Sequence, residues 1–219
     1  MNLSKLFKTL ALTAGITIGS QTALFFTQNK ALAQVGSASF VQLFEADGDT
    51  GQCNALASGV IVTPFGVWSN PVRIDTDGRA GGCRQAFAVS DPQNTLAGLN
   101  LFVSFTPDGD AGQCGNPGLK GIPVVPLDVA SFGSLYETIL RSAAYRIDTD
   151  NRSGGCQQTF SLSGRNDIVL DVSFIPDGDA GQCGNAGSFT VTPSSPVTFR
   201  IDTDKRGGGC RQSFRLRRV

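Results

Sequence analysis

Paired aspartates are the residues of this sequence whose type and spacing could do chemistry. Six Asp-x-Asp pairs contain 12 of the 18 acidic residues. They are Asp47/Asp49, Asp75/Asp77, Asp108/Asp110, Asp148/Asp150, Asp177/Asp179 and Asp202/Asp204. Calcium takes about six to eight oxygen ligands from flexible loops, and weak sites suit the calcium concentrations outside cells. The pairs are therefore candidate calcium ligands, although their spacing is not that of an EF-hand.

A structural role for the same aspartates is the alternative. Asp side chains stabilise turns by accepting hydrogen bonds from nearby backbone N–H groups. Arginines that could neutralise the carboxylates recur at Arg73/Arg79, Arg146/Arg152 and Arg200/Arg206. An Asp–Arg network would hold the turns without a metal, and the sequence leaves both interpretations open.

Catalysis has little support in the sequence. The chain contains no histidine, so a Ser-His-Asp or Cys-His site cannot be assembled. Asp49-Thr50-Gly51 is similar to the Asp-Thr-Gly turn of aspartic proteases, whose two carboxylates share a proton. The similarity ends there, because the equivalent segments at Asp110 and Asp179 have alanine in place of threonine. We therefore predict a protein that is not an enzyme, with an Asp-dependent hydrolase as the distant alternative.

Two motifs that contain the aspartate pairs alternate three times along the chain. The first begins at a phenylalanine and ends in Gly-Gln-Cys, and the second begins at Arg-Ile-Asp and continues through Gly-Gly-Cys to a phenylalanine. The first motif spans Phe44–Cys53, Phe105–Cys114 and Phe174–Cys183. The second motif spans Arg73–Phe87, Arg146–Phe160 and Arg200–Phe214. Such repetition indicates similar structural units, which comprise residues 34–90, 97–163 and 165–219.

The residues around both motifs alternate between apolar and polar, as β-strands with one buried face do. Phe105, Val103 and Leu101 show this alternation before one cysteine, and Phe160 and Leu162 show it after another. We therefore predict an all-β protein of three repeats, each with two hairpins whose turns are the Asp- and Gly-rich segments. This is the strand count of a β-trefoil, and three small tandem disulfide-linked β-domains are the alternative. Short connections favour packing of the units as one body.

Residues 1–33 have the features of a secretory signal peptide. Lysines precede a mostly apolar run, and Ala31-Leu32-Ala33 matches a cleavage site. We therefore predict export to the periplasm, the cell surface or the medium. Removal of Lys5, Lys8 and Lys30 leaves 15 Lys and Arg against 18 Asp and Glu. This net negative charge does not favour binding to nucleic acid. No further apolar run is long enough to span a membrane, and the basic end Arg215–Arg218 is interpreted as a solvated strand face.

Six cysteines in an exported chain predict disulfide bonds. Zinc is disfavoured, because the sequence has neither a Cys-x-x-Cys motif nor a histidine. Each unit contains two cysteines, so repetition favours the pairs Cys53–Cys83, Cys114–Cys156 and Cys183–Cys210. Loops of this length stabilise a protein by about 3–4 kcal/mol each in the chain-entropy model. Units of this size need such cross-links or packing against one another, because alone they bury too little surface.

Three short triplets resemble the Gln-x-Trp element of ricin-type trefoil lectins. They are Gln85-Ala86-Phe87, Gln158-Thr159-Phe160 and Gln212-Ser213-Phe214, with phenylalanine in place of tryptophan. In that family the glutamine and the ring are mainly core elements, while an aspartate and a surface aromatic hold the sugar. The resemblance covers only these triplets, and it implies a trefoil-like carbohydrate-binding protein. An aromatic sugar platform would then have to use Trp68, Tyr136 or Tyr145, the chain's lone tryptophan and its only tyrosines, for which a core role is the default.

Together these features predict an exported, non-enzymatic structural or binding protein, with calcium as the candidate stabilising ion. Identical turns repeated three times suit rigidity or multivalent contact better than a single catalytic centre. The alternatives are a carbohydrate-binding protein and, more distantly, a hydrolase. The expected partners are a surface glycan or another exported protein, without nucleic acid and without a membrane span in the mature chain.

Overall fold

The computed structural model describes residues 37–48, 50–53, 58–75, 81–126, 138–139, 144–148, 154–178, 180–202 and 208–219. The predicted signal peptide, residues 1–33, lies outside these ranges. Within them, no helix has both the length and the apolar character that crossing a membrane requires.

Strands make up most of the described chain, which confirms the all-β prediction. Unit 1 contains β1 (Ser39–Gly48), β2 (Ser58–Pro64), β3 (Val72–Asp75) and β4 (Gly81–Ser90). Unit 2 contains β5 (Asn100–Gly109), β6 (Cys114–Gly115), β7 (Gly118–Ile122), β8 (Val124–Val125), β9 (Tyr145–Asp148) and β10 (Gly154–Ser163). Unit 3 contains β11 (Ile168–Gly178), β12 (Cys183–Gly184), β13 (Gly187–Val191), β14 (Val197–Asp202) and β15 (Gly208–Arg218). A short 3₁₀ helix follows the first strand of each unit, at Thr50–Gln52, Ala111–Gln113 and Ala180–Gln182.

The strands form three sheets, each centred on a long antiparallel pair between the first and last strands of one unit. Sheet 1 has the order β2-β1-β4-β9-β6, with β8 beside β4. Sheet 2 has the order β12-β14-β10-β5-β7, and sheet 3 has the order β13-β11-β15-β3. The central pairs are β1 with β4, β5 with β10 and β11 with β15.

Each sheet also contains a short Arg-Ile-Asp strand that comes from a different unit. Strand β9 of unit 2 pairs with β4 of unit 1, and β14 of unit 3 pairs with β10 of unit 2. Strand β3 of unit 1 pairs with β15 of unit 3, which closes a ring. The described strands of every unit therefore lie in two sheets.

The prediction that the second motif is a hairpin is wrong. Its two strands lie in different sheets, because the last strand of a unit already has a neighbour on each edge: β4, for example, lies between β1 and β9. The strand of the first motif does pair with a following strand of its own unit, as β5 does with β7. Periodicity predicts which side chains share a face, but it does not predict which strand lies alongside. The β-trefoil stays a prediction.

The inner faces of the three sheets meet in one hydrophobic core that collects the alternating apolar residues of every unit. At its centre the rings of Phe87, Phe160 and Phe214 contact one another, with centroids 5.6, 5.1 and 5.4 Å apart. The three rings occupy equivalent positions of the three units, so the core has approximate threefold symmetry. Buried aromatic rings contribute large apolar areas, and this triangle therefore ties the three sheets together.

The outer face of sheet 1 carries a second hydrophobic cluster. We call this outer surface face 1, and its cluster includes Val41, Leu43, Val60, Ala86 and Ala88. Ile139 covers it, together with the partly buried Val125 and Ala144, all from unit 2. Strand β1 is thus buried on both sides, which its nearly continuous apolar sequence indicates in retrospect.

Candidate functional site

The repeated residues meet at three equivalent places, which we call junctions. At each junction the first motif of one unit contacts the Gly-Gly segment of the same unit and the Arg-Ile-Asp strand of another. Junction 1 comprises Asp47, Gln52, Gly81, Gly82 and Arg146. The corresponding sets are Asp108, Gln113, Gly154, Gly155 and Arg200 for junction 2, and Asp177, Gln182, Gly208, Gly209 and Arg73 for junction 3.

An ion pair between units recurs in every junction. Arg146 Nε lies 2.8 Å from Asp47 Oδ2, and Arg200 Nε lies 2.7 Å from Asp108 Oδ2. In the third, Arg73 Nε donates to Asp177 Oδ2 over 2.8 Å. The first aspartate of each first motif is therefore neutralised by an arginine of the exchanged strand.

A second arginine contacts the aspartate in two of the junctions. Arg84 Nη2 lies 3.2 Å from Asp47 Oδ2, and Arg211 Nη2 donates to Asp177 Oδ2 over 2.9 Å. The equivalent residue of unit 2 is Gln157, which lies in β10 opposite Thr106. The hydrogen bond from Arg211 has the largest effect on the pKa of Asp177, and together with the hydrogen bond from Arg73 it outweighs burial and lowers this pKa below its ordinary value. This carboxylate is therefore ionised at neutral pH.

Both glycines of each Gly-Gly-Cys segment permit close approach of another strand. Gly154 has a φ of +96°, and a Cβ there would collide with the carbonyl oxygen of Asp108 and lie 2.6 Å from Gln113 Nε2. A Cβ at Gly155 would collide with the carbonyl oxygen of Ile201 on the exchanged strand. Glycine is thus required here by backbone conformation and by contact. The same collisions occur at Gly81 and Gly82 and at Gly208 and Gly209.

The glutamine of Gly-Gln-Cys is a junction residue that sequence reasoning missed. Gln52, Gln113 and Gln182 are each 0% exposed, although glutamine is mostly a surface residue. Their amides occupy the space that the first glycine of Gly-Gly-Cys leaves open. The signal that could have found them is the occurrence of Gly-Gln-Cys in all three units.

The disulfides join the sheets to one another. They are Cys53–Cys83, Cys114–Cys156 and Cys183–Cys210, which is the symmetric set. Cys114 in β6 belongs to sheet 1 and Cys156 in β10 to sheet 2, while Cys183 in β12 belongs to sheet 2 and Cys210 in β15 to sheet 3. The third disulfide joins sheet 3 to sheet 1. Cys53 forms a β-bridge with Ile74 of sheet 3, and its disulfide partner Cys83 lies in sheet 1. The three bonds therefore close a ring around the molecule.

Four of the twelve candidate calcium ligands have described side chains, and each of the four has a partner within the protein. Asp47, Asp108 and Asp177 form the junction ion pairs. Asp110 accepts a hydrogen bond from Gly112 N over 2.8 Å and so caps the 3₁₀ helix. In the described part of the chain, no three Cys, Asp or Glu side chains are grouped to hold a metal ion. The side chains of Asp49, Asp75, Asp77, Asp148, Asp150, Asp179, Asp202 and Asp204 lie outside the described part, and there calcium stays a prediction.

The glutamines of the Gln-x-Phe triplets lie in the core beside the phenylalanine triangle. Gln85, Gln158 and Gln212 are each 0% exposed, and Gln212 Nε2 donates to Gln158 Oε1 over 3.3 Å. A buried amide needs such partners, because a lost hydrogen bond in the interior is costly. These residues are therefore positioned for packing and not for contact with a ligand.

Unit 3 departs from the other units on the outer face of sheet 3, which we call face 3. Its outward residues are Arg73, Val169, Asp171, Ser173, Ile175, Asp177, Ser188, Thr190, Arg211, Ser213, Arg215 and Arg217. Asp171 is only 4% exposed and accepts hydrogen bonds from Thr190 Oγ1 at 2.8 Å, Arg215 Nε at 2.8 Å and Arg217 Nε at 2.6 Å. Burial by itself raises the pKa of Asp171, but the hydrogen bonds from Arg217, Thr190 and Arg215 outweigh burial and lower it. The basic end of the chain thus holds a buried carboxylate, which sequence reasoning missed.

Trp68 lies at the edge of face 3. The loop before β3 follows strand β15, because Ser69 N donates to Phe214 O over 2.8 Å and Phe214 N donates to Ser69 Oγ over 2.9 Å. Arg215 Cζ lies 4.8 Å from the centroid of the indole ring, within the range of a cation–π contact. The indole is partly exposed. One of the three candidate platform aromatics therefore lies beside the charged cluster of Asp171, while the side chains of Tyr136 and Tyr145 lie outside the described part.

Comparison of the chain with known protein families, with curated proteins and with solved structures found no match. The function is therefore argued from the residues and their geometry.

Proposed function

We propose that this protein is a non-enzymatic structural or binding protein that acts outside the cytoplasm. The observation that carries the proposal is that the repeated residues form contacts between units. In every junction the same aspartate, glutamine, glycines and arginine hold two units together. A catalytic centre normally breaks internal symmetry, whereas these acidic residues have equivalent structural partners in all three units.

The state of ionisation of the acids supports a role without catalysis. A general acid needs a pKa near the working pH, and the pKa values of Asp171 and Asp177 are both lowered. Each of these carboxylates accepts hydrogen bonds from two arginines. They are suited to fixed electrostatic contacts and unsuited to proton transfer.

The disulfide ring supports an exported location. Disulfides persist mainly in oxidising compartments, outside the reducing cytoplasm. Here all six cysteines are bonded and buried. The three disulfides between neighbouring sheets also suit a rigid scaffold whose outer faces make the contacts.

Two measurements on the oxidised protein test this proposal. The first is thermal melting with calcium and with a chelator, and an unchanged midpoint would show that the arginines which neutralise the junction aspartates hold the scaffold without a metal. A midpoint that rises with calcium would instead make calcium part of the scaffold. The second is incubation with peptide and polysaccharide substrates, and release of product would contradict a non-enzymatic role.

Carbohydrate binding is the form of this function that a specific observation favours. Trp68 presents a partly exposed ring next to Arg215, at the edge of a face rich in hydroxyl groups. Aromatic rings pack against the apolar side of sugars, and neighbouring polar groups bind their hydroxyls. A glycan array tests this, and binding that is unaffected by Trp68→Ala would argue against it.

A further inference from the structure

We infer that face 3 binds an acidic polysaccharide, with its arginines holding carboxylates and its serines holding sugar hydroxyls. This inference rests on the proposed binding function and specifies the face and the class of ligand. It is carried by the charge, the exposure and the layout of the face.

The charge of face 3 differs from that of the other two outer faces. Among described side chains it carries four arginines and two aspartates, namely Arg73, Arg211, Arg215, Arg217, Asp171 and Asp177. Sheet 1 has Arg84 and Arg146 against Glu45 and Asp47 on its outward side. Sheet 2 has Arg200 against Asp108. Face 3 alone has a described excess of positive charge, which attracts a negatively charged ligand.

The arginines of face 3 are held in place yet remain open to solvent. The side chains of Arg211, Arg215 and Arg217 are 50%, 30% and 33% exposed. A guanidinium has five N–H donors in a planar fork that matches a carboxylate. Each arginine is oriented by an aspartate of the face, so little side-chain entropy would be lost on binding. The pairs with Asp171 and Asp177 thus pre-organise the donors.

The layout of the face suits an extended polymer. Asp171 and Asp177 lie six residues apart on β11, so the two Arg-Asp-Arg groups are about 20 Å apart. Between them Ser188, Ser173 and Ser213 lie side by side across three strands. Ser188 is exposed and Ser213 partly exposed, so these two can meet a ligand, whereas Ser173 is 7% exposed and accepts a hydrogen bond from Ser188 Oγ over 2.9 Å. Two positive groups separated by a row of hydroxyls match a chain that alternates carboxylates and hydroxyls.

Other polyanions fit this face less well. A nucleic-acid surface normally belongs to a basic protein, whereas the chain without residues 1–33 has three more acids than bases. An anionic membrane would favour apolar side chains beside the basic ones. On this face Ile175 is 56% exposed, whereas Val169 is only 3% exposed, and Trp68 lies at the edge in contact with Arg215. The hydroxyl row favours a sugar polymer.

The chain itself supplies a matched pair of test variants. Arg211 on face 3 and Arg84 on sheet 1 are equivalent residues that contact the equivalent aspartates Asp177 and Asp47. The third equivalent position is Gln157, so glutamine is compatible with this place in the fold. Arg211→Gln removes a hydrogen-bond donor from the proposed site on face 3. Arg84→Gln removes the equivalent donor from the outward side of sheet 1, away from that site.

The experiment measures binding of the full oxidised protein to polygalacturonate by titration calorimetry, with neutral dextran and duplex DNA as further probes. We expect binding to polygalacturonate that weakens between about 50 and 300 mM NaCl, since salt screens exposed charges. Arg211→Gln should weaken it about five- to tenfold, because a charge-assisted contact is lost. Arg84→Gln should leave it within about twofold, since removing an exposed charge pair elsewhere has little effect.

Several outcomes would overturn the inference. They are the absence of binding to polygalacturonate, an equal loss in both variants, or tighter binding to duplex DNA. Binding to dextran that neither variant changes would overturn the acidic ligand while leaving the proposed binding function intact. Release of reducing ends from polygalacturonate in the same samples would overturn the non-enzymatic function itself.

Discussion

The outer faces of sheets 1 and 3 are built from equivalent positions of equivalent strands, but their side chains have opposite character. The row Val60, Leu43, Ala86 of sheet 1 corresponds to Ser188, Ser173, Ser213 of sheet 3. The next row is Val62, Val41, Ala88 in sheet 1 and Thr190, Asp171, Arg215 in sheet 3. Face 1 is covered by Ile139 with Val125 and Ala144, whereas face 3 carries exposed arginines.

This difference shows which positions the fold constrains. Inward residues and junction residues are nearly the same in all units, because each contributes to a core or an ion pair shared by two units. The polarity of an outward residue depends only on whether another segment covers it or it faces solvent. An apolar row requires a covering segment, while a polar row can remain in solvent. The outer faces are therefore where the three units have acquired different roles.

The largest expected effect comes from placing the acid of face 3 on face 1. Val41 is equivalent to Asp171 and is 0% exposed. Val41→Asp should destabilise the protein by roughly 4 kcal/mol or more, because the carboxylate is buried without arginine partners. Denaturant unfolding measures this change. If Val41→Asp lowered the free energy of unfolding by less than the reverse change, Asp171→Val, the contrast between the two faces would be contradicted.

Truncation of the apolar row should have the next largest effect. Leu43 is 0% exposed within the second hydrophobic cluster, so Leu43→Ala should cost about 2–4 kcal/mol through lost burial and a cavity. The control is Ser173→Ala at the equivalent position of face 3, which should cost no more than about 1 kcal/mol. Equal losses for the two variants in denaturant unfolding would show that face 1 is not a second core.

Neutralisation of Asp171 should have an intermediate effect that depends on pH. Asp171→Asn should cost about 2 kcal/mol at neutral pH, since charge-assisted hydrogen bonds are lost. The pKa of Asp171 is lower in the folded protein than in the unfolded chain. Its contribution is therefore complete above the unfolded value of about 3.9 and is lost as the pH falls through the folded pKa. Melting curves across this acid range should converge for the two proteins, and a constant difference would disprove the role of the charge.

The smallest effects on stability should come from the exposed arginines. Arg84→Gln and Arg211→Gln should each change the free energy of unfolding by at most about 1 kcal/mol, because pairs open to solvent contribute little. Thermal melting of both variants checks this. Similar midpoints, combined with a difference in polysaccharide binding, would assign face 3 to function and not to stability.

The strand positions, their inward faces and the all-β class could be predicted from the sequence. Alternation places Phe105, Val103 and Leu101 on one face, and all three are at most 2% exposed. Alternation is a local property, since successive side chains of a strand point to opposite sides. Repetition likewise indicated which cysteines are equivalent and which residues recur at the turns.

Strand neighbours and ion-pair partners could not be predicted in this way. Arg73 and Asp177 are 104 residues apart in the chain and donate and accept one hydrogen bond. Their contact depends on the exchange of β3 into sheet 3, which no local pattern encodes. Asp171 was likewise unremarkable in the sequence, because its arginines at positions 215 and 217 lie on a strand more than forty residues away.

The sequence by itself thus determined the repeated units, the buried face of each long strand and the residue types that recur at the turns, because these follow from local spacing and from repetition. Only the tertiary structure decided that the short strands exchange between units, that the disulfides link sheets in a ring and that one outer face is covered while another is open. The physical reason is that backbone hydrogen bonding across a strand edge is largely indifferent to side-chain identity, so the neighbour is selected by the packing of the whole core.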